Sequence, residues 1–203
     1  MKEGGNKSIH YLLAQAVDIE KNPREIQYRM ILQLKDSNPK SFQEWQTAME
    51  AEIKALNDQD VWELVDLPQN CKPIKCRWVY DIKTDGQKRG QLVTKGFSQI
   101  PGIDFEETFS PVARFETVRL LLALSALEDW EIEALDVKTA FLYGNLDEEL
   151  YMEQPEGSVV KGQEKKVYKV KKALYGLKQA AIAWNKQANK SLMKLGFKRS
   201  LPF

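Results

Sequence analysis

Residues 133 to 146, "EALDVKTAFLYGNL", set a single carboxylate, Asp136, at the end of an alternating apolar run and follow it with a turn-forming stretch. A carboxylate there can cap the turn, pair with a surface base or offer oxygens to a hard cation. Other chemistry-bearing residues are sparse. The lone histidine, His10, lies in a weakly patterned leader, which argues against a serine–histidine–acid triad. Neither a G-x-x-x-x-G-K-[ST] phosphate loop nor a G-x-S-x-G elbow occurs. Cys71 and Cys76 have C-x4-C spacing but lack the second pair a tetrahedral zinc site would use. They read as structural or incidental thiols in a reducing compartment.

The charge balance adds a second clue. From Val159 to Phe203 the chain carries 12 lysines and arginines against one acid, Glu164, while the other 158 residues hold 18 basic and 28 acidic groups. Lysines 186, 190, 194 and 198 recur every fourth residue and form a basic stripe on a helix. Such a stripe suits a polyanion, and it equally suits a solvated helix face.

The elements that must position these residues follow from periodicity. At 203 residues, 43% apolar and 29% charged, the chain reads as ordinary globular protein with no apolar run long enough for a transmembrane helix. Residues 1–37 read as a leader or linker with at most one short helix, and an organised region spans 38–203. "KSFQEWQTAMEAEIKALND" predicts a helix with a Ser41/Glu44 capping box and a face made of Phe42, Trp45, Met49, Ile53 and Leu56. "VWELVDLP" predicts a strand, and residues 76–83 and 91–97 predict a hairpin around Asp85-Gly86. "ETVRLLLALSAL" is apolar nearly all round and predicts a buried helix. "WEIEALDV" predicts the strand that carries Asp136. "ELYMEQP" and "KKVYKVKKALYG" predict two further strands, and residues 179–195 a final helix stopped by Gly196. Strands interrupted by helices without βαβ repetition indicate an α+β class.

Read in order, "WQTAMEAEIKAL", "VWELVDLP", "RWVYDIKTDG", "LVTKGFSQIPGIDFEETFSPVARFETVRLLLALSA", "LDVKTAFLYGNLDEELYMEQPEG" and "KVKKALYGLKQAAIAW" resemble the reverse transcriptase domain of copia-type (Pseudoviridae) LTR-retrotransposon polyproteins. The resemblance runs from about Lys40 to Ser200. It implies a partial right-hand polymerase fold, with fingers and an incomplete palm but no thumb. It also implies an RNA-directed DNA polymerase acting on an RNA/DNA template-primer and deoxynucleoside triphosphates, in an intracellular setting and without a membrane. Asp136 matches the first palm aspartate, which with the carbonyl of Val137 binds catalytic Mg²⁺. Such phosphoryl transfer uses two cations about 3.5–4 Å apart. Phe141 matches an aromatic gate beneath the incoming sugar, against core packing as the alternative. Tyr175, Gly176, Lys178 and Gln179, from "LYGLKQ", match the loop that contacts template base and nucleotide. Lys95, Lys186 and Lys190 are implied nucleic-acid contacts.

The sequence departs from the family pattern in three places. The hairpin word, in the family close to R-Y-K-A-R-L-V-A-K-G, is "KRGQLVTKG", so Gln91 replaces an arginine and Gly90 removes a side chain. The word Q-A-P-R-A-W-Y is "QAAIAWN", with Ala181 and Ile182 in place of proline and arginine. No Asp-Asp dipeptide occurs, so two of the family's three catalytic aspartates are missing from these 203 residues. The implied reading is a truncated domain, inactive alone, with unpaired strand edges and exposed apolar surface in its palm. The alternatives are a nucleic-acid-binding remnant without catalysis and a part of a longer active polyprotein.

Overall fold

Asn38 separates two helices and serves both. A computed structural model describes residues 26–198, and in it helix α1 (Tyr28–Ser37) ends at Asn38, where α2 (Pro39–Asp58) begins. Pro39 occupies the first helical position, where its missing N–H costs nothing. The Asn38 side chain accepts the Ser41 N–H at 3.1 Å. The capping box expected at Ser41 and Glu44 is therefore displaced three residues upstream. Ser41 is buried inside the helix instead. The predicted apolar face of α2 holds, with Trp45, Met49 and Leu56 buried and Phe42 and Ile53 packed against them.

Within 1–37, α1 buries Ile31 and Leu34 in the core, while residues 1–25, including His10, lie outside the described part.

Two antiparallel sheets follow, and the second packs against α2 through its second strand. The first has order β1–β5–β4, from Trp62–Val65, Val167–Lys172 and Asn145–Met152. Trp62 and Leu150 both lie opposite Val170, and the β4 ladder is irregular between Asn145 and Leu150. The second is the hairpin of β2 (Cys76–Ile82) and β3 (Lys88–Thr94), in register from Cys76↔Thr94 to Ile82↔Lys88. Its turn contains Gly86 at φ +82°, as the Asp85-Gly86 signal requires. β3 starts three residues before the predicted strand and ends at Thr94, because Lys95 already enters the short 3₁₀ turn Gly96–Ser98.

One core joins the sheets. Trp45 meets Tyr80 edge-on at 5.3 Å, and Trp62 stacks on Tyr168 at 4.4 Å. Gly90 has a packing role here: a Cβ on it would sit 3.3 Å from Met49 Cγ, so its bareness lets β3 lie close against α2.

Two expectations fail between residues 115 and 137. Helix α3 (Phe115–Leu127) forms but buries none of its residues, and Leu120, Leu121 and Leu127 are 60%, 54% and 80% exposed. Being apolar all round, it has no face that selects a neighbour, and no described element covers it. Residues 130–137 form no strand. A strand needs a partner for its backbone N–H and C=O groups, and this stretch has none among the described residues. Trp130, Ile132 and Leu135 stand exposed beside α3.

Helix α4 (Ala180–Lys194) ends as predicted, with Gly196 at φ +90°. No described helix is long and apolar enough to cross a membrane.

Candidate functional site

A wide groove of about 1470 Å³ runs between the outer face of α2, the turn of the β2–β3 hairpin and the segment 136–139, with Tyr175 at its side. Of the residues singled out from sequence, it gathers Asp136, Val137 and Tyr175. Its charged lining is mixed: Lys40, Lys83, Lys88, Arg89 and Lys138 face Glu44, Glu52, Asp85 and Asp136.

The hairpin is pinned to α2 by Lys88. The Lys88 side chain is only 10% exposed, pairs with Glu44 at 2.9 Å and donates to the backbone and hydroxyl of Ser41. Its ammonium also sits 5.2 Å from the centroid of the Trp45 ring. The hydrogen bond from Lys88 holds the Glu44 carboxyl below its ordinary range. Glu52 behaves oppositely: burial pushes its carboxyl up, against a hydrogen bond from the Leu92 N–H at 3.2 Å.

Asp136 is exposed. Among the described residues no three or more histidines, cysteines, aspartates or glutamates group closely enough to hold a metal ion. One carboxylate and the Val137 carbonyl fall short of the oxygen set that two Mg²⁺ ions require. The residues present therefore do not fit the two-ion centre implied by the resemblance. Cys71 and Cys76 are both free thiols.

Segment 137–143 turns sharply. Thr139 adopts φ +53° before the 3₁₀ turn Ala140–Tyr143 that carries Phe141. Phe141 is partly buried against the core, and its ring meets Tyr175 edge-on at 5.0 Å. It backs Tyr175 and does not line the groove.

The loop between β5 and α4 is anchored by backbone. The Tyr175 carbonyl accepts the Thr94 N–H at 2.8 Å and the Thr94 hydroxyl at 3.0 Å. Gly176, at φ +93°, lies so close to β3 that a Cβ would overlap the Thr94 carbonyl oxygen. A Cβ on Gly96 would likewise overlap the Gly176 carbonyl oxygen. Below them, Gln99 and Gln179 are buried and joined amide to amide at 3.0 Å. Lys178 is exposed, and its ammonium sits 4.7 Å from the centroid of the Phe105 ring, outside the groove of Asp136.

Strand alternation sends the remaining candidates elsewhere. Lys95 and Gln91 line a second groove of about 880 Å³ on the hairpin's other face, with Arg77. Arg89 reaches both grooves. On α4, Lys186 pairs with Asp147 at 2.9 Å, while Lys190 is exposed. Thr94, Gly96, Gln99 and Phe105 also hold the loop between β5 and α4. All four lie in words already noticed, "LVTKGFSQIPGIDF", but only a partner some eighty residues away marks them out.

Comparison with known proteins assigns this arrangement to a lineage. The description "Reverse transcriptase (RNA-dependent DNA polymerase)" matches residues 59–202. The chain is 49% identical over 142 residues to the retrovirus-related Pol polyprotein from transposon TNT 1-94 of Nicotiana tabacum, an alignment covering 68% of this chain and 11% of that protein. It is 38% identical over 197 residues to the Pol polyprotein from transposon RE1 of Arabidopsis thaliana, covering 94% of this chain and 13% of that protein. An uncharacterized mitochondrial protein of Arabidopsis thaliana is 38% identical over 127 residues, 60% of this chain and 69% of that protein. The chain thus spans little more than a tenth of the length of the polyproteins it matches. No solved structure matches it significantly.

Proposed function

The chain belongs to the reverse transcriptase (RNA-dependent DNA polymerase) family, of copia type, and from that premise we propose that it is the fingers and part of the palm of a template-primer-gripping polymerase. The observation that carries this reading is the shared groove. Asp136, Val137 and Tyr175 come from segments far apart in sequence, yet line one channel with the hairpin cations Lys83 and Arg89. Cations along such a channel attract a phosphate backbone, and an aromatic side chain at its wall offers a base a stacking surface.

In this proposal Tyr175 is the base-facing group, Phe141 supports its ring from behind, and Gly176 and Gln179 hold the loop. Lys178 and Lys95 contact nucleic acid outside the Asp136 groove, and Lys190 with Lys186 extends the basic track along α4. Asp136 and the Val137 carbonyl would supply only one part of a Mg²⁺ centre. The 203 residues alone lack the other carboxylates, so they bind template-primer without extending it, and further carboxylates of a longer polyprotein would complete the site.

The exposed lysine stripe of α4 favours a second reading, a nucleic-acid-binding remnant with no nucleotide site. Fluorescence titration with an RNA–DNA hybrid, together with primer extension in Mg²⁺ and dNTPs, tests both. Expected are binding that weakens steeply with salt and no extension. Extension abolished by Asp136→Ala would overturn the inactivity, and no binding at low salt would overturn the grip. If Tyr175→Ala binds like wild type, the remnant reading is the better one.

A further inference from the structure

Gln99 and Gln179 are the only amide side chains buried in the core of the described residues, 4% and 2% exposed. Their three side-chain hydrogen bonds form one directed chain. Gln99 Nε2 donates to Gln179 Oε1 at 3.0 Å, and Gln99 Oε1 accepts the Lys178 backbone N–H at 2.9 Å. Gln179 Nε2 donates to the Asp104 carbonyl at 2.9 Å. Each oxygen is an acceptor and each nitrogen a donor, so flipping either amide would oppose like groups. Immediately beside this chain, Thr94 binds the Tyr175 carbonyl twice, through its N–H at 2.8 Å and its hydroxyl at 3.0 Å.

We propose that the Gln99–Gln179 bridge is a positioning device that couples the exit of the β2–β3 hairpin to the Tyr175–Lys178 loop and so sets Tyr175 against the groove. The inference rests on the template-primer reading above. Neither glutamine touches the groove; they act through the loop backbone. A rigid link here makes the hairpin wall and the Tyr175 wall of the groove one unit, so the channel keeps a defined width. An apolar core of the same volume would hold the loop near β3 but would not fix its register, because only the directed bonds specify which backbone N–H meets which oxygen.

The test uses the full chain with a fluorescein-labelled RNA–DNA hybrid and amide hydrogen exchange. Gln99→Leu keeps bulk and removes the bonds. Expected are hybrid binding weakened about tenfold or more and faster exchange at Lys178 and Thr94, while amides of β1, β4 and β5 stay protected. Gln99→Glu supplies a readout that packing alone would not move. At pH 5 its protonated carboxyl can donate to Gln179 and accept from Lys178, so binding relative to wild type should recover there and fall at pH 8. Wild-type affinity in Gln99→Leu, with no pH response in Gln99→Glu, overturns the proposal. If the wild-type chain does not bind the hybrid, the functional reading fails and exchange alone decides. Faster exchange confined to 94–105 and 174–179 then supports the bridge, and unchanged protection overturns it. Should Gln99→Leu not fold, the pH-dependent exchange of Gln99→Glu gives the same decision.

Discussion

Replacing Gly176 by alanine should be among the most damaging single-methyl additions available in this chain, and the structure separates its two causes. At φ +93° an L side chain is strained, by about 1–2 kcal/mol. The new Cβ would also overlap the Thr94 carbonyl oxygen and press on Val93 Cγ1 at 2.8 Å. Relieving that contact moves backbone against backbone, an overpacking cost of about 1–3 kcal/mol, and strains the two Thr94–Tyr175 hydrogen bonds. The two costs together come to about 2–5 kcal/mol, a large share of the stability of an ordinary domain. Gly86 isolates the first cause, since φ is +82° and nothing lies within 4 Å of its Cβ position, so Gly86→Ala should cost only about 1–2 kcal/mol. Gly96 isolates the second, since its added Cβ would overlap the Gly176 carbonyl oxygen although its own φ is ordinary. Urea unfolding followed by tryptophan fluorescence ranks the three. With a slope near 2 kcal/mol/M, Gly176→Ala should lower the midpoint by about 2 M and Gly86→Ala by less than about 1 M. Loss of a cooperative transition in Gly176→Ala alone is the same result in stronger form. Equal midpoints for the two variants would refute the close approach of loop and hairpin.

Three further outcomes follow from the structure. Glu52→Gln should hold or slightly raise stability at pH 7, because burial disfavours its ionised form while the amide oxygen can still accept the Leu92 N–H; a lower urea midpoint would contradict this. Burial pushes the Cys76 thiol from 9.0 up to about 12, and Tyr80 also upward. A folded value above the unfolded one means stability is complete below about pH 9 and is lost as pH climbs toward 12. Urea midpoints should therefore fall between pH 9 and 11, less steeply in Cys76→Ala, and equal slopes would exclude Cys76 as a cause. Leu121→Lys, at a position 54% exposed, should change stability by less than about 0.5 kcal/mol and reduce self-association by size-exclusion chromatography; a loss of several kcal/mol would show that α3 is packed in solution.

Much of the fold was legible because its signals are local. The five apolar positions of α2 repeat at helical spacing, the Asp85-Gly86 pair forces a hairpin turn, and Gly196 stops α4 in the left-handed region. The start of α2 departs from the expected capping box for a reason equally local. Ser41 and Glu44 satisfy the box pattern, but Asn38 with Pro39 behind it starts the helix earlier and captures the Ser41 N–H first. The candidate site was less legible. Asp136, Val137 and Tyr175 do meet in one groove, whereas Lys95 and Gln91 fall on the hairpin's other face, since a shift of one residue along a strand reverses the side it presents.

The order of short words along the chain was enough to place it in its family, and periodicity was enough to name most of its helices and strands. Both depend on residues a few positions apart. Whether a segment finds a partner depends on the rest of the molecule. The pattern of "ETVRLLLALSAL" states that the helix is apolar, yet only the packed structure reveals that none of it is buried. The alternation in "WEIEALDV" suits a strand, yet no neighbour supplies its hydrogen bonds and none forms. No local signal pairs Gln99 with Gln179, although Gln179 lies in a recognisable word, and their pairing exists only because the chain returns, eighty residues later, to the end of β3. Burial and hydrogen-bond satisfaction are properties of pairs, and tertiary structure alone decides the pairs.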